Sequence, residues 1–105
     1  MWFIFPQLQG LGHSQIARYY AISSVDEAIA YLNHPTLGQR LIECCQLVTL
    51  IEDSPIHKIF SYPDDLKFHS SMTLFARAAR RNEPFTAALD KYFDGKLHTL
   101  TIERF

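Results

Sequence analysis

The sequence predicts a mainly α-helical single domain, an irregular bundle of about five short helices, with at most a minor two-stranded element from the termini. Three observations lead there. Apolar residues recur at helical spacing in several stretches, prolines or glycines stand between those stretches, and β-prone residues collect only at the two ends. At 105 residues, 48% hydrophobic and 20% charged, the chain is long enough to bury one core without metal or disulfide help.

Trp2-Phe3-Ile4-Phe5 opens the chain, and Pro6, Gly10 and Gly12 then break the backbone into a loop. Ser14 is placed to cap a short helix with Ile16, Tyr19 and Tyr20 on its apolar face, ending near Ser23. Ser24-Val25-Asp26-Glu27 fits a capping box, in which Ser24 and Glu27 satisfy each other's free backbone donors. Val25, Ala28, Ile29 and Leu32 follow at helical spacing, and Pro35 disfavours helix at His34, so a helix over 24–33 is expected.

Pro35 suits the first turn of the next helix, whose Leu37, Leu41, Cys44, Cys45, Val48 and Ile51 make one stripe. Leu47 and Leu50 widen that apolar sector, so this longest helix is expected to be the central one. Ser54-Pro55 starts a short helix through Phe60. Tyr62-Pro63-Asp64-Asp65 reads as a turn that delivers two carboxylates to another helix start, where the dipole favours them. There Phe68, Met72, Phe75 and Ala79 form the core stripe, and His69, Thr73, Arg77 and Arg80 a polar one. A last helix over 83–93 buries Phe85, Ala88, Leu89 and Tyr92 and ends at Asp94-Gly95. Residues 96–105 fit either a short strand, through alternating Leu100 and Ile102, or a final helical turn.

A net charge of −1 and a pI near 6.5 give no field for nucleic acid or anionic lipid. The apolar run at the N-terminus is too short to span a membrane and lacks the flanks of a signal peptide, so a cytoplasmic, non-membrane protein is expected. Cys44 and Cys45 are adjacent, poorly placed to bridge, and read as reduced core thiols. The chain has no Cys-x-x-Cys or His-x-x-x-His spacing, so no metal site is expected, and no cofactor is implied.

Two segments carry candidate chemistry. Gly10-Leu11-Gly12-His13-Ser14 is a glycine-containing loop entering a helix, where backbone amides and a hydroxyl could hold an anion, although its spacing is neither the Walker nor the dinucleotide pattern and a plain turn with an N-cap serine accounts for it too. In the stretch 64–73, helical spacing places Asp65 beside His69 and Lys67 beside Ser70 and Ser71. Those groups could orient a sugar or activate water, or simply form a solvated helix start. Serines in a helix interior point to a site or a tight packing seam. Arg77, Arg80 and Arg81 are explained by the helix C-terminus they follow. His34, His57 and His98 stand apart from other candidate groups.

These segments resemble the signature stretches of the domain of unknown function 1810 family, bacterial proteins often mislabelled calpastatin. Trp2-Phe3-Ile4-Phe5-Pro6-Gln7-Leu8 with Gly10-Leu11-Gly12 resembles its N-terminal motif. Ile59-Phe60, Pro63-Asp64-Asp65, Lys67 and Ser70-Ser71-Met72-Thr73-Leu74-Phe75 resemble its C-terminal one, and Ala30-Tyr31-Leu32, His34-Pro35 and Leu37-Gly38 fit between them. The resemblance covers essentially the whole chain. It implies a mainly helical fold with no established activity. Relatives carry a further helix upstream, so the resemblance also implies a start that is truncated or a member that has lost that helix.

The order of a helix, His34-Pro35 opening the next one, then Ile59-Phe60 and a carboxylate-bearing stretch is similar to part of the NADAR superfamily, which is associated with ADP-ribose-type N-glycosides and their hydrolysis. That likeness implies a small nucleotide-like ligand. Trp2 or Phe5 would stack on a base or ribose, the loop of Gly10, Gly12, His13 and Ser14 would meet phosphate, and Asp65 or His69 would polarise water at the glycosidic carbon. Gln7, Lys67, Ser70 and Ser71 would complete the ligand contacts. The competing expectation is a noncatalytic interaction domain, a homo-oligomer formed through the N-terminal aromatic segment.

Overall fold

The computed structural model describes residues 4–11, 15, 21–80 and 82–104. Six helices lie within them: α1 Val25–Asn33, α2 Leu37–Leu50, α3 Ile56–Ile59, α4 Asp64–Ala78, α5 Glu83–Phe93 and α6 Thr99–Glu103. The expected mainly helical fold is therefore present. The helix expected over 14–23 lies largely outside the described residues.

The termini do not pair with each other among the described residues. Instead one parallel bridge joins Leu8 to Ile22, with Gln9 N–H donating to the Ile22 carbonyl at 2.6 Å and Ile22 N–H to the Gln7 carbonyl at 2.8 Å. The tail takes the helical alternative, α6, started by His98, whose imidazole Nδ1 lies 2.9 Å from the Thr101 hydroxyl.

Local chemistry sets the helix ends. Ser24 Oγ accepts the Glu27 N–H at 3.1 Å, as expected of a capping box. The return arm differs: the Glu27 carboxylate accepts from Ser23, by its N–H at 2.8 Å and by its hydroxyl, so the box closes one residue early. The corner after α1 is capped by an imidazole. His34 Nδ1 accepts the Thr36 and Leu37 N–H groups at 3.2 and 3.1 Å, and α2 begins at Leu37 rather than at Pro35. Gly38 makes this corner tight, because a Cβ there would sit 1.9 Å from the Leu32 carbonyl oxygen. The far end of α2 is closed by α5, where Lys91 Nζ donates to the Thr49 and Ile51 carbonyls and the Tyr92 hydroxyl to Val48.

The central helix is α4, which corrects the expectation for α2. On α2, Leu41, Cys45 and Val48 are buried, but Leu47 and Leu50 are 63% and 73% exposed. On α4, Phe68 and every residue from 70 to 76 are buried. Three of these carry hydroxyls, and two enter the core with partners on their own helix: Ser70 Oγ donates to the Lys67 carbonyl at 3.0 Å and Thr73 Oγ1 to the His69 carbonyl at 2.9 Å. Satisfying the donor removes most of the burial penalty, so a helix with little hydrophobic asymmetry still occupies the middle of the bundle. Phe68 is the aromatic hub. Its ring meets those of Phe5, Phe60, Phe93 and Tyr92 at centroid distances of 5.0, 5.3, 6.3 and 6.5 Å.

Both cysteines are free; Cys45 is a core thiol as expected, whereas Cys44 is only half-buried. Its Sγ donates to the Pro84 carbonyl at 3.0 Å, and desolvation pushes the thiol up to about 12, which keeps it protonated and unreactive at neutral pH.

Candidate functional site

The site is built where the N-terminal segment crosses α4. Phe5, 3% exposed, packs edge-on against both Phe60 and Phe68, which also touch each other, and fixes the segment to the core. Its ring is therefore part of the packing and presents no open face for a base. Two residues on, Gln7 Nε2 donates to Ser70 Oγ at 2.7 Å, a bond between positions 63 apart in the chain. This contact joins the two stretches that carry the family resemblance.

On α4 the first turn is acidic. The Asp64 carboxylate lies 3.5 Å from Lys67 Nζ, and because the Lys67 side chain is only 20% exposed the pair is partly shielded from water. Asp65 Oδ1 accepts the Leu66 N–H at 2.9 Å. Ser71 is fully buried, and its Oγ has no hydrogen-bond partner among the described residues. A buried hydroxyl without a partner costs on the order of 1–3 kcal/mol, so it stands out on a helix whose other hydroxyls are satisfied.

The expected pairing of Asp65 with His69 does not form. His69 turns toward the α5–α6 connection instead: its ring stacks on Phe93 at 3.8 Å with 4° between the planes, and Nε2 lies 2.8 Å from the Lys96 carbonyl. A carbonyl only accepts, so Nε2 carries the proton and donates. The stack offers more contact than a solvated ion pair with Asp65, and it decides where the ring lies. His98 follows from the other side, with its ring edge-on to His69 at 5.3 Å and its N–H donating to Thr73 Oγ1 at 2.9 Å. His98 stood apart in the sequence because the partners that seat it, His69 and Thr73, lie on α4. The one local signal was the three-residue spacing from His98 to Thr101, which is a helix-start spacing.

Burial holds His69 below the ordinary histidine range, with the Lys96 carbonyl pulling weakly the other way. Burial also lowers His98, and charge on His69 lowers it further. In both cases the folded value lies below the unfolded one, near 6.5. The unfolded chain then binds more protons as pH falls below that value, so the stabilisation present above about pH 6.5 is lost on acidification. Thermal denaturation at a series of pH values should show Tm falling between pH 7.5 and 5.5, and falling less in His69→Gln. An equal fall in that variant would show that His69 contributes nothing to the slope.

Of the other expected site residues, Trp2, Gly12, His13 and Ser14 lie outside the described residues, as does Arg81. Gly10 is described. Its φ of +98° is one that L side chains rarely adopt, and the space beside it is taken by the guanidinium of Arg104, a residue that no sequence pattern singled out. Arg77 and Arg80 are exposed near the end of α4, and Arg80 borders a groove of about 670 Å³ shared with Ile29, Leu32, Ile42 and Phe85. Neither Gln7 nor Ser70 lines that groove, and it carries no acid–base pair. No three His, Cys, Asp or Glu side chains converge on a common point among the described residues, and no described helix is long and apolar enough to cross a membrane.

Comparison with known proteins places this geometry in a family. No curated protein matches the chain. The conserved hypothetical protein Rv1873 from Mycobacterium tuberculosis, whose crystal structure is known, is 53% identical and superposes with a TM-score of 0.96, covering 97% of this chain and 73% of that one. The family described as "Protein of unknown function (DUF1810)" matches residues 1–105, which include both the Gln7 and the Ser70 stretches. The chain belongs to the DUF1810 family.

Proposed function

We propose that the junction of the N-terminal segment with α4 binds a small nucleotide-like ligand of the ADP-ribose class and hydrolyses its N-glycosidic bond. The observation that carries this reading is the Gln7–Ser70 hydrogen bond, which brings the two signature stretches to one place. On the same first two turns of α4 are the half-buried Asp65 and the shielded Lys67, while Ser70 and Ser71 are themselves fully buried. A carboxylate and an ammonium are groups that hold a sugar and polarise water. In this reading Asp65 polarises the attacking water, and His69, occupied by Phe93 and Lys96, holds the α5–α6 connection against α4. Trp2 and the loop of Gly12, His13 and Ser14 are assigned to base stacking and phosphate contact through the likeness to the NADAR superfamily.

Isothermal titration of the full chain with ADP-ribose and NAD tests binding, and release of the free base from NAD tests hydrolysis. Binding that weakens tenfold or more in Ser70→Ala, with product release lost in Asp65→Asn, is the expected result. No heat and no product at millimolar ligand would remove the proposal.

A second reading, a noncatalytic domain that self-associates, is favoured by the apolar side chains left in solvent: Ile4 on the N-terminal segment and Leu47 and Leu50 on α2. Sedimentation of the chain at high concentration separates the two, since a clean monomer excludes this one.

A further inference from the structure

Arg104 lies at the end of α6, and its guanidinium is laid across Gly10. A Cβ at Gly10 would sit 2.3 Å from Arg104 Nη1 and 2.7 Å from Cζ, so the guanidinium packs directly against the glycine, whose φ of +98° L side chains rarely adopt. The arginine is exposed, and no carboxylate pairs with it among the described residues. Its simplest structural role would be to cap its own helix, because cations are favoured at helix C-termini. The side chain does not do that: it makes no hydrogen bond to the α6 carbonyls and reaches over to the N-terminal segment instead.

The position matters because of what lies next to it. Gln7, bonded to Ser70, is three residues before Gly10, and three residues of chain reach at most about 11 Å. The guanidinium is therefore within the length of one dinucleotide-sized ligand of the Gln7–Ser70 contact. A planar, permanently charged fork of donors suits the oxygens of a phosphoryl group, which it can bind through two parallel hydrogen bonds.

We infer that Arg104 is the phosphoryl anchor of the ligand site, seated there by the close approach that Gly10 permits. This rests on the nucleotide-like reading above, extends the site onto α6, and gives the tail helix a ligand contact. The packing of α6 on α4 sets the position of the charge, since His98 N–H is bonded to Thr73 and Thr101 is fully buried.

The test titrates wild-type protein, Arg104→Gln and Arg104→Lys with three probes, inorganic pyrophosphate, ADP-ribose and adenosine, by calorimetry at low salt. The Arg104 side chain is exposed and makes no hydrogen bond among the described residues, so both variants should keep the wild-type Tm, and that is measured first. The expected result is that pyrophosphate and ADP-ribose bind tenfold or more weakly to Arg104→Gln, with Arg104→Lys between and adenosine unchanged. Equal binding of ADP-ribose to wild type and Arg104→Gln overturns the anchor while leaving the nucleotide reading in place. Arginine-dependent binding of pyrophosphate, with ADP-ribose no tighter, supports the anchor and removes the nucleotide reading. Failure of pyrophosphate to bind the wild type overturns the anchor.

Discussion

Truncation of Phe68 to alanine should destabilise the domain by about 3–5 kcal/mol, the range for removing a fully buried phenyl ring. The residue is 0% exposed, and its ring is shared by four others that come from separate parts of the chain. Phe5 belongs to the N-terminal segment, Phe60 follows α3, and Tyr92 and Phe93 end α5, so one deletion loosens three attachments to α4 together. A domain of this size holds on the order of 5–15 kcal/mol in total, so the loss is about a fifth of it or more. Urea unfolding should show the midpoint moving down with little change in slope. A shift worth less than about 1 kcal/mol would show that the aromatic cluster repacks around the gap and that Phe68 is not its hub.

Gly38→Ala should also destabilise, and here the sign is the test. Glycine within a helix normally costs up to about 1 kcal/mol relative to alanine, so an unconstrained site would gain stability from the change. At Gly38 the added carbon would meet three backbone atoms of Leu32, the carbonyl oxygen at 1.9 Å, the carbon at 2.6 Å and Cα at 3.0 Å. Backbone cannot rotate aside as a side chain does. The α1–α2 corner must open, pulling His34 Nδ1 from the amides it caps, and the overpacking should cost about 1–3 kcal/mol or more. The same denaturation measurement decides it. An increase in midpoint would mean that the two helices do not approach this closely in solution.

The parts of the fold written in short-range chemistry were legible from the sequence. The Ser24 cap, the end of α1 before Pro35, the stripe of Phe68, Met72 and Phe75 and the stop at Asp94-Gly95 all depend on neighbours within a few positions. Which helix occupies the centre was not legible, because apolar content favoured α2 while burial of α4 depends on hydroxyls whose acceptors are its own carbonyls. The candidate site divides the same way. Residue types marked Lys67, Ser70 and Ser71, the family resemblance added Gln7, and the structure brings Gln7 to Ser70. The partner of His69 was misjudged, since helical spacing makes Asp65 its neighbour and no spacing rule reports a ring on α5. Arg104 was invisible for the same reason: it acquires meaning only when α6 packs on α4 and carries it to a glycine more than ninety positions away.

The central claim, that the two signature stretches form one ligand site, is tested most directly by hydrogen–deuterium exchange with and without ADP-ribose. The account predicts slowed exchange in residues 7–11, in 65–71 at the start of α4 and in α6 around Arg104, with the α2 and α5 amides unchanged. Slowed exchange confined to the groove lined by Ile29, Leu32, Ile42 and Phe85, or no change anywhere at saturating ligand, would contradict it.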